Sequence, residues 1–470
     1  MTTNQTTQTS SGYLPDERPP FLKLLLYSIQ QVIVMFPATV AVAIITGFHI
    51  STTIFASGLA TICFILVTGR KIPLYYGSSF SYVAAIGSLM SSEALAGLAL
   101  NDKIAIAQFG IMMSGLVSIA AGLIVRRFGR DSIEKVLPAS VTGPIAMVIG
   151  LTLAGTALSD ASSIAINTLG AVSVSASQVA LATNMAWIIS LVTLISTILF
   201  SVYLKGMFGQ LPLLLGPILG CITAYVIQLI TGIDLFKVLS EGTASGIFAL
   251  PEFTLPKASW LAVAAIMPIA IATIPESTAH VYQLDIYVND LAKKKGSDKR
   301  YRIADLLGSN LIGDGIGDIV SGLVGGPAGT NYGENISAMA ITRVFSIWVL
   351  LGASVVAMVL ACFTPLINAI YAIPTAVIGG LEIYLFGAIA AQGVAIMIEK
   401  KVDMFSAKNI AVIATIMIIG LGGQYAYGGN IPFFGLDVPC IAGAAIFGIL
   451  MNIILNIGKK KKEEKTEMIP

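Results

Sequence analysis

The sequence predicts an all-α membrane protein of about fourteen apolar segments, laid out as two inverted repeats of seven. Three observations carry this. Only 11% of the 470 residues are charged and 56% are hydrophobic, against roughly 25% charged in a soluble domain. Apolar runs of about 20 residues recur from Phe21 to Ile457, the length that crosses a ~30 Å hydrocarbon core. Two polar, glycine-marked segments interrupt the pattern at matching places in the two halves. The net charge of +2 gives no reason to expect nucleic acid as a partner. Cys63, Cys221, Cys362 and Cys440 lie far apart without CxxC spacing, so they read as small apolar residues.

The expected spans are 22–46, 51–69, 75–91, 104–125, 134–156, 184–204, 209–231, 259–284, 303–324, 331–343, 344–366, 373–397, 407–424 and 437–457. Lysine and arginine orient them, because positive charge concentrates in cytoplasmic loops. With the amino terminus inside and strict alternation, only Lys103, Lys237 and Lys257 of the 27 lysines and arginines fall outside. A wrong number of spans would scramble that bias. The expectation is therefore a multi-pass protein of the cell membrane with both termini cytoplasmic. Residues 1–20 read as a disordered tail and 458–470 as a basic cytoplasmic tail.

The third and tenth spans are short and resemble each other. Tyr76-Gly77-Ser78-Ser79-Phe80-Ser81 aligns with Tyr332-Gly333-Glu334-Asn335-Ile336-Ser337. Leu137-Pro138-Ala139-Ser140-Val141-Thr142-Gly143-Pro144 aligns with Ile373-Pro374-Thr375-Ala376-Val377-Ile378-Gly379-Gly380. Each pair lies seven spans apart. Seven is odd, so the copies run through the bilayer in opposite directions, and broken spans at matching positions mark secondary transporters. Backbone N–H groups freed at such breaks can face a polar ligand.

A carboxylate at the bilayer centre costs about 2.5–3.5 kcal/mol even on a lenient scale, so those the chain keeps are informative. Glu276 and His280 are i and i+4 on one helical face. Glu334 opens the half-helix of the tenth span, where the helix dipole favours a negative charge. Two carboxylates on a dry cavity suit a ligand with N–H donors beside carbonyl acceptors, as in a lactam nucleobase. Glu276 and Glu334 would accept from the ring, and backbone N–H groups near Phe80 and Gly333 would donate to its carbonyls. The same pair would repel an anion. An unperturbed histidine titrates in the physiological range, a nearby Glu276 favours the charged form and burial opposes it, and beside Glu276 His280 reads as a proton carrier in place of a histidine merely bonded to a helix carbonyl. Asp314 and Asp318 either tie the ninth span to its neighbours or serve the site, and Glu382 has no role assigned.

Glu334-Asn335-Ile336-Ser337-Ala338-Met339-Ala340-Ile341-Thr342-Arg343 resembles the signature of the nucleobase–ascorbate transporter family. The resemblance spans nearly the whole chain, from Glu17-Arg18-Pro19-Pro20 through Met35-Phe36-Pro37-Ala38-Thr39-Val40, and is strongest to the bacterial uracil permeases. It implies a core domain of residues 21–130 and 258–370 and a gate domain of residues 131–257 and 371–457. It also implies a homodimer formed largely through the gate domains and proton symport of a nucleobase. Substrate contacts fall on Glu276, Glu334, Phe80 and Gly333, packing positions on Ala38 and Tyr332, a gate-domain aromatic on Phe386, and proton coupling on His280 with Glu276. The family's purine carriers usually have Asp where His280 stands, which favours uracil over xanthine or urate. The chain departs from the pattern at Gln31, Pro37, Ser277 and Ser337.

Two other classes fit the sequence less well. An anion carrier on the same fold would want a neutral or basic site. A membrane enzyme would want a metal or nucleophile motif, and neither HExxH nor GxSxG is evident. No cofactor, metal or catalytic residue is expected.

Overall fold

The computed structural model describes residues 12–129, 137–163, 176–206, 208–237, 246–434 and 436–467. Expectations for residues 1–11, Arg130, Lys135, the side chains beyond 457 and residues 468–470 lie outside the described residues.

The chain is mostly helical, in elements that follow the order of the expected spans. The first half holds α1 (Phe21–Thr46), α2 (Ile50–Val67), β1 (Tyr76–Ser78), α3 (Val83–Met90) and α4 (Leu100–Phe128). It continues with α5 (Ala139–Thr152), α6 (Ala154–Ala161), α7 (Ala176–Tyr203) and α8 (Pro212–Thr231). The second half holds α9 (Trp260–Ile266), α10 (Ala270–Lys294), α11 (Leu307–Val324), β2 (Gly329–Asn331), α12 (Gly333–Thr342) and α13 (Ile347–Ala361). It ends with α14 (Thr364–Tyr371), α15 (Thr375–Glu399), α16 (Ala407–Tyr427), a hairpin of β3 (Asn430–Phe433) and β4 (Leu436–Pro439), and α17 (Cys440–Glu467).

Among the described residues ten helical stretches are long and apolar enough to cross a membrane on those grounds alone. The other four expected spans are α11, diluted by Asp314, Asp318 and its glycines, the 15-residue α13, and two units of strand plus half-helix. The eighth span is broken between α9 and α10 by a 3-10 turn at Met267–Ile269. Pro268 causes this, since it has no N–H to give and its ring clashes with the preceding turn. Past the apolar stretch, α10 runs on to Lys294 as a polar helix.

The inverted repeat is visible in the packing. α4 lies on α11, and the equivalent pair α2 lies on α13. α7 with α15 is matched by α16 with α5, and α7 with α8 by α16 with α17. One bundle thus gathers α1–α4 and α9–α13, and a second gathers α5–α8 and α15–α17. α4 and α11 approach closely because each offers glycine at heptad spacing. A Cβ on Gly115 would overlap the carbonyl of Gly315, and one on Gly122 the carbonyl of Gly308. Small residues of this kind bring membrane helices into backbone contact.

The expected disordered tail is corrected where it is described. Residues 12–20 strap the first bundle. Tyr13 N–H donates to the Arg343 carbonyl at 2.9 Å, and Phe345 N–H donates to the Tyr13 carbonyl at 2.7 Å. Glu17 pairs with Lys295 at 2.7 Å and Asp16 with Lys299 at 2.7 Å, and Asp16 also accepts from the Tyr301 hydroxyl. Polar composition suggests disorder, but the partners are charged groups about 280 residues away, as the Tyr301–Asp16 separation of 285 illustrates, and backbone groups further still.

Candidate functional site

The two broken spans cross at the centre of the first bundle. β1 and β2 pair antiparallel, Tyr76 with Asn331, Gly77 with Thr330 and Ser78 with Gly329. Antiparallel pairing of two copies of one motif is what an inverted repeat requires. The ladder extends at both ends, where Tyr332 N–H donates to the Tyr75 carbonyl at 2.9 Å and Ser79 N–H to the Ala328 carbonyl at 3.0 Å. Each strand then gives way to a short helix: a 3-10 turn at Phe80–Tyr82 leading into α3, and α12.

Buried side chains hold the crossing. Asp318 accepts from the Tyr76 hydroxyl at 2.5 Å and from Gly329 N–H at 2.9 Å. The Tyr332 hydroxyl donates to the Ser78 carbonyl at 2.8 Å and lies 3.0 Å from Thr39 Oγ1. A Cβ on Gly77 would overlap the Tyr332 ring, so only glycine lets that ring lie across β1. Ser277 donates to Asp314, receives Asn310 Nδ2 at 2.7 Å, and joins Asn331 through Nδ2 at 3.3 Å. Both aspartates therefore tie α11 to its neighbours. Asn335 Nδ2 donates to Gln31 Oε1 at 2.8 Å, fixing α12 on α1.

Against this frame lies a cavity of about 450 Å³, within the roughly 300–1,000 Å³ of small-molecule sites. Glu276 and His280 from α10 line it, as do Phe80 after β1 and Tyr332, Gly333 and Glu334 at the start of α12. The second bundle supplies the facing wall through Thr142, Ile149, Leu385 and Ile389. Glu276, His280 and Glu334 are half-buried, so each reaches the cavity surface. Glu276 and Glu334 stand close enough for their charges to interact. Glu334 occupies the first turn of α12, at the positive end of its dipole. A Cβ on Gly333 would come 2.9 Å from His280 Nε2, so glycine there makes room for the ring. His280 Nδ1 is buried without a hydrogen-bond partner among the described residues.

Two of the expected residues are not on the cavity. Ala38, 2% exposed, packs in the apolar core that also holds Tyr332, while Val34 and Pro37 of α1 reach the cavity. Phe386, also 2% exposed, is turned into the core between α5 and α15. Leu385, the residue before it, lines the cavity, and one step along a helix is a rotation of ~100°. Further residues line the cavity, among them Gln283 and Gln392, which the sequence reading did not single out, and Ser337, which it marked as a departure from the family pattern. Gln283 follows Glu276 and His280 at i+7 and i+3, and Ser337 follows Glu334 at i+3, so both lay on faces already marked. Gln392 of α15 is exposed where it lines the cavity and marks the mouth. Among the described residues no group of three or more His, Cys, Asp or Glu is placed to hold a metal ion.

Two carboxylates and the start of α12 line one cavity. The family model Xan_ur_permease, described as Permease family, matches residues 22–427. The chain is 34% identical over 446 residues to the uracil permease of Bacillus caldolyticus, covering 93% of each chain. It is 32% identical to the uracil permease of Bacillus subtilis (strain 168), covering 94% of each. In solved structures it shares its fold with the transmembrane domain of a cyanobacterium bicarbonate transporter, BicA, with a TM-score of 0.58 at 16% identity over 94% of this chain and 99% of that one. Murine Slc26a9, an anion transporter in the inward-facing state, matches with a TM-score of 0.63 at 12% identity over 94% of this chain and 69% of that one. The fold is common to carriers of different cargo, but the sequence match is long and continuous, and the chain belongs to the Xan_ur_permease family of permeases, multi-pass proteins of the membrane.

Proposed function

We propose that the chain carries uracil, or a nucleobase with the same edge, across the membrane together with a proton. The observation that carries this reading is the meeting of Glu276 of α10 and Glu334 at the start of α12 on one cavity. Ionised carboxylates only accept hydrogen bonds, and uracil offers two ring N–H groups. Its carbonyls meet the backbone N–H groups at the starts of the Phe80 turn and α12. Hydrogen bonds to charged groups contribute about 1.5–3 kcal/mol each, enough for two to hold a small ring. The curated relatives named uracil permease support the choice of cargo.

The proton sits on the Glu276–His280 pair, one helical turn apart on α10. Substrate enters and leaves by alternating access, the bundle of α5–α8 and α15–α17 acting as gate against the other as core. The gate includes residues 131–257 and 371–457, and the core 21–130 and 258–370. Glu17 reaches Lys295 just past the end of α10, so the Gln283 and Gln392 mouth opens towards the face that holds the amino-terminal segment. With both termini cytoplasmic, the cavity faces inward. A homodimer through the gate bundle belongs to the same reading, since α8 exposes Ile222, Tyr225, Leu229 and Ile230.

Uptake of radiolabelled uracil into vesicles tests the proposal. We expect accumulation with the interior alkaline, its loss on adding a protonophore, and weaker competition by xanthine than by unlabelled uracil. Accumulation indifferent to the imposed pH gradient would remove proton coupling. Competition by xanthine alone would change the cargo.

A further inference from the structure

A second acidic cluster lies away from the cavity, in the bundle of α5–α8 and α15–α17. Glu382 of α15 is 0% exposed, and neither of its carboxyl oxygens has a hydrogen-bond donor among the described residues. Asp160, near the end of α6, stands next to it, and Lys237 completes the group. The backbone explains the approach. A Cβ on Gly379, one turn before Glu382, would overlap the backbone of Asp160 and Ala161, so α6 ends directly against this face of α15. Lys237 N–H donates to the Ala372 carbonyl at 3.0 Å, which holds that residue beside the start of α15. Asp160 and Lys237 are half-buried.

Other partners are few. Among the described residues, α5, α7 and α8 bring no charged side chain to this bundle. On α15 itself the Tyr384 hydroxyl lies 2.6 Å from Ser201 Oγ, one donating to the other, and Glu399 lies at the far end of the helix. Glu241 lies outside the described residues. Two carboxylates and one ammonium leave one negative charge in excess around the fully buried Glu382, where an uncompensated charge is costly. Two ionised carboxylates also cannot hydrogen-bond to each other. One proton removes both defects at once: the acid O–H of one carboxyl donates to the other, and the trio becomes neutral.

We propose that Asp160 and Glu382 hold one proton between them, taken up from water, as a proton-binding site separate from Glu276 and His280, and that this proton fastens α6 to α15. Loss of it sets two like charges against each other at the contact between these two helices. The folded protein binds this proton and the unfolded chain at neutral pH does not, so the contribution to stability is present at low pH and lost as the pH rises.

The test is thermal melting of the full purified chain across a pH series, with Glu382→Gln compared to the unaltered protein. Glutamine mimics the protonated acid, so we expect the high-pH fall in Tm to flatten, with uracil binding unchanged. Lys237→Met should move the fall to higher pH, because removing the cation strengthens proton binding. The infrared carbonyl band of a protonated carboxylic acid at neutral pH should diminish in Glu382→Gln. Asp160→Asn should flatten the profile in the same way and serves if Glu382→Gln does not fold. An unchanged pH profile and an unchanged carbonyl band in these variants overturn the proposal. So does a Tm rise with sodium chloride over choline chloride that Glu382→Gln abolishes, since a metal ion would then occupy the site.

Discussion

The two broken spans share a plan and differ in chemistry. Both run as a three-residue strand into a helix start, and the strands pair antiparallel. After β1 come Ser79, Phe80 and Ser81; Ser79 N–H is given to the Ala328 carbonyl and Ser81 N–H to Ser79 Oγ, so this turn offers the Phe80 N–H and the Ser81 hydroxyl. After β2 come Gly333 and Glu334, which present a carboxylate in the first helical turn. An inverted repeat repeats the backbone, and the side chains then divide the work. One half brings donors, and the other brings an acceptor beside its own donors. Under the proposed function, a nucleobase held between them uses both kinds of group, which neither unit alone supplies.

This comparison can be broken at several points. The largest effect should come from removing the charge. Glu334→Gln replaces an acceptor with an amide whose NH₂ faces a ligand N–H, and the loss of about 1.5–3 kcal/mol should weaken uracil binding roughly ten- to a hundredfold by calorimetry. Ser81→Ala on the other unit should leave affinity within a few fold, because the Phe80 N–H carries that half. Next is Gly77→Ala, whose new methyl meets the pinned Tyr332 ring. Overpacking of this kind costs about 1–3 kcal/mol, readable as a lower Tm and lower uptake together. Tyr332→Phe removes the hydroxyl between Ser78 and Thr39. It should cost about 1 kcal/mol of stability while leaving the carboxylates in place.

The smallest effect lies in the amino-terminal strap. Burial alone would raise the Asp16 carboxyl, but Lys299 and the Tyr301 hydroxyl outweigh it and hold the group below its usual 3.8. Its contribution is therefore present above the ordinary aspartate range and lost as the pH falls through the lowered value. Asp16 is exposed and its ion pair is screened by solvent, so Asp16→Asn should lower stability by less than about 1 kcal/mol at neutral pH. The difference from the unaltered chain should vanish in acid melts.

Much of this was legible in the sequence for a physical reason. A membrane span must satisfy its own backbone, so length and hydropathy report it directly, and glycines with polar residues report where it breaks. Glu276 and His280 were legible as an i, i+4 pair in an apolar helix. What escaped depends on contacts between distant segments. The β1–β2 pairing joins residues about 255 apart in the chain, as Ser78 and Tyr332 at a separation of 254 show. No local pattern announces such a ladder, nor the strap of residues 12–20. The expectation for Phe386 was off by a single helical step, because a motif fixes a position along a helix less firmly than the face that position occupies. Gln283 could have been found by extending the Glu276–His280 stripe one turn further.

Uracil titrations of the unaltered protein, Glu276→Gln, Glu334→Gln and the double variant, followed by isothermal calorimetry, bear most directly on the account. If both carboxylates grip one ring, each single change lowers affinity sharply, and the second change costs much less once the first is made. Unaltered affinity in either single variant would contradict it.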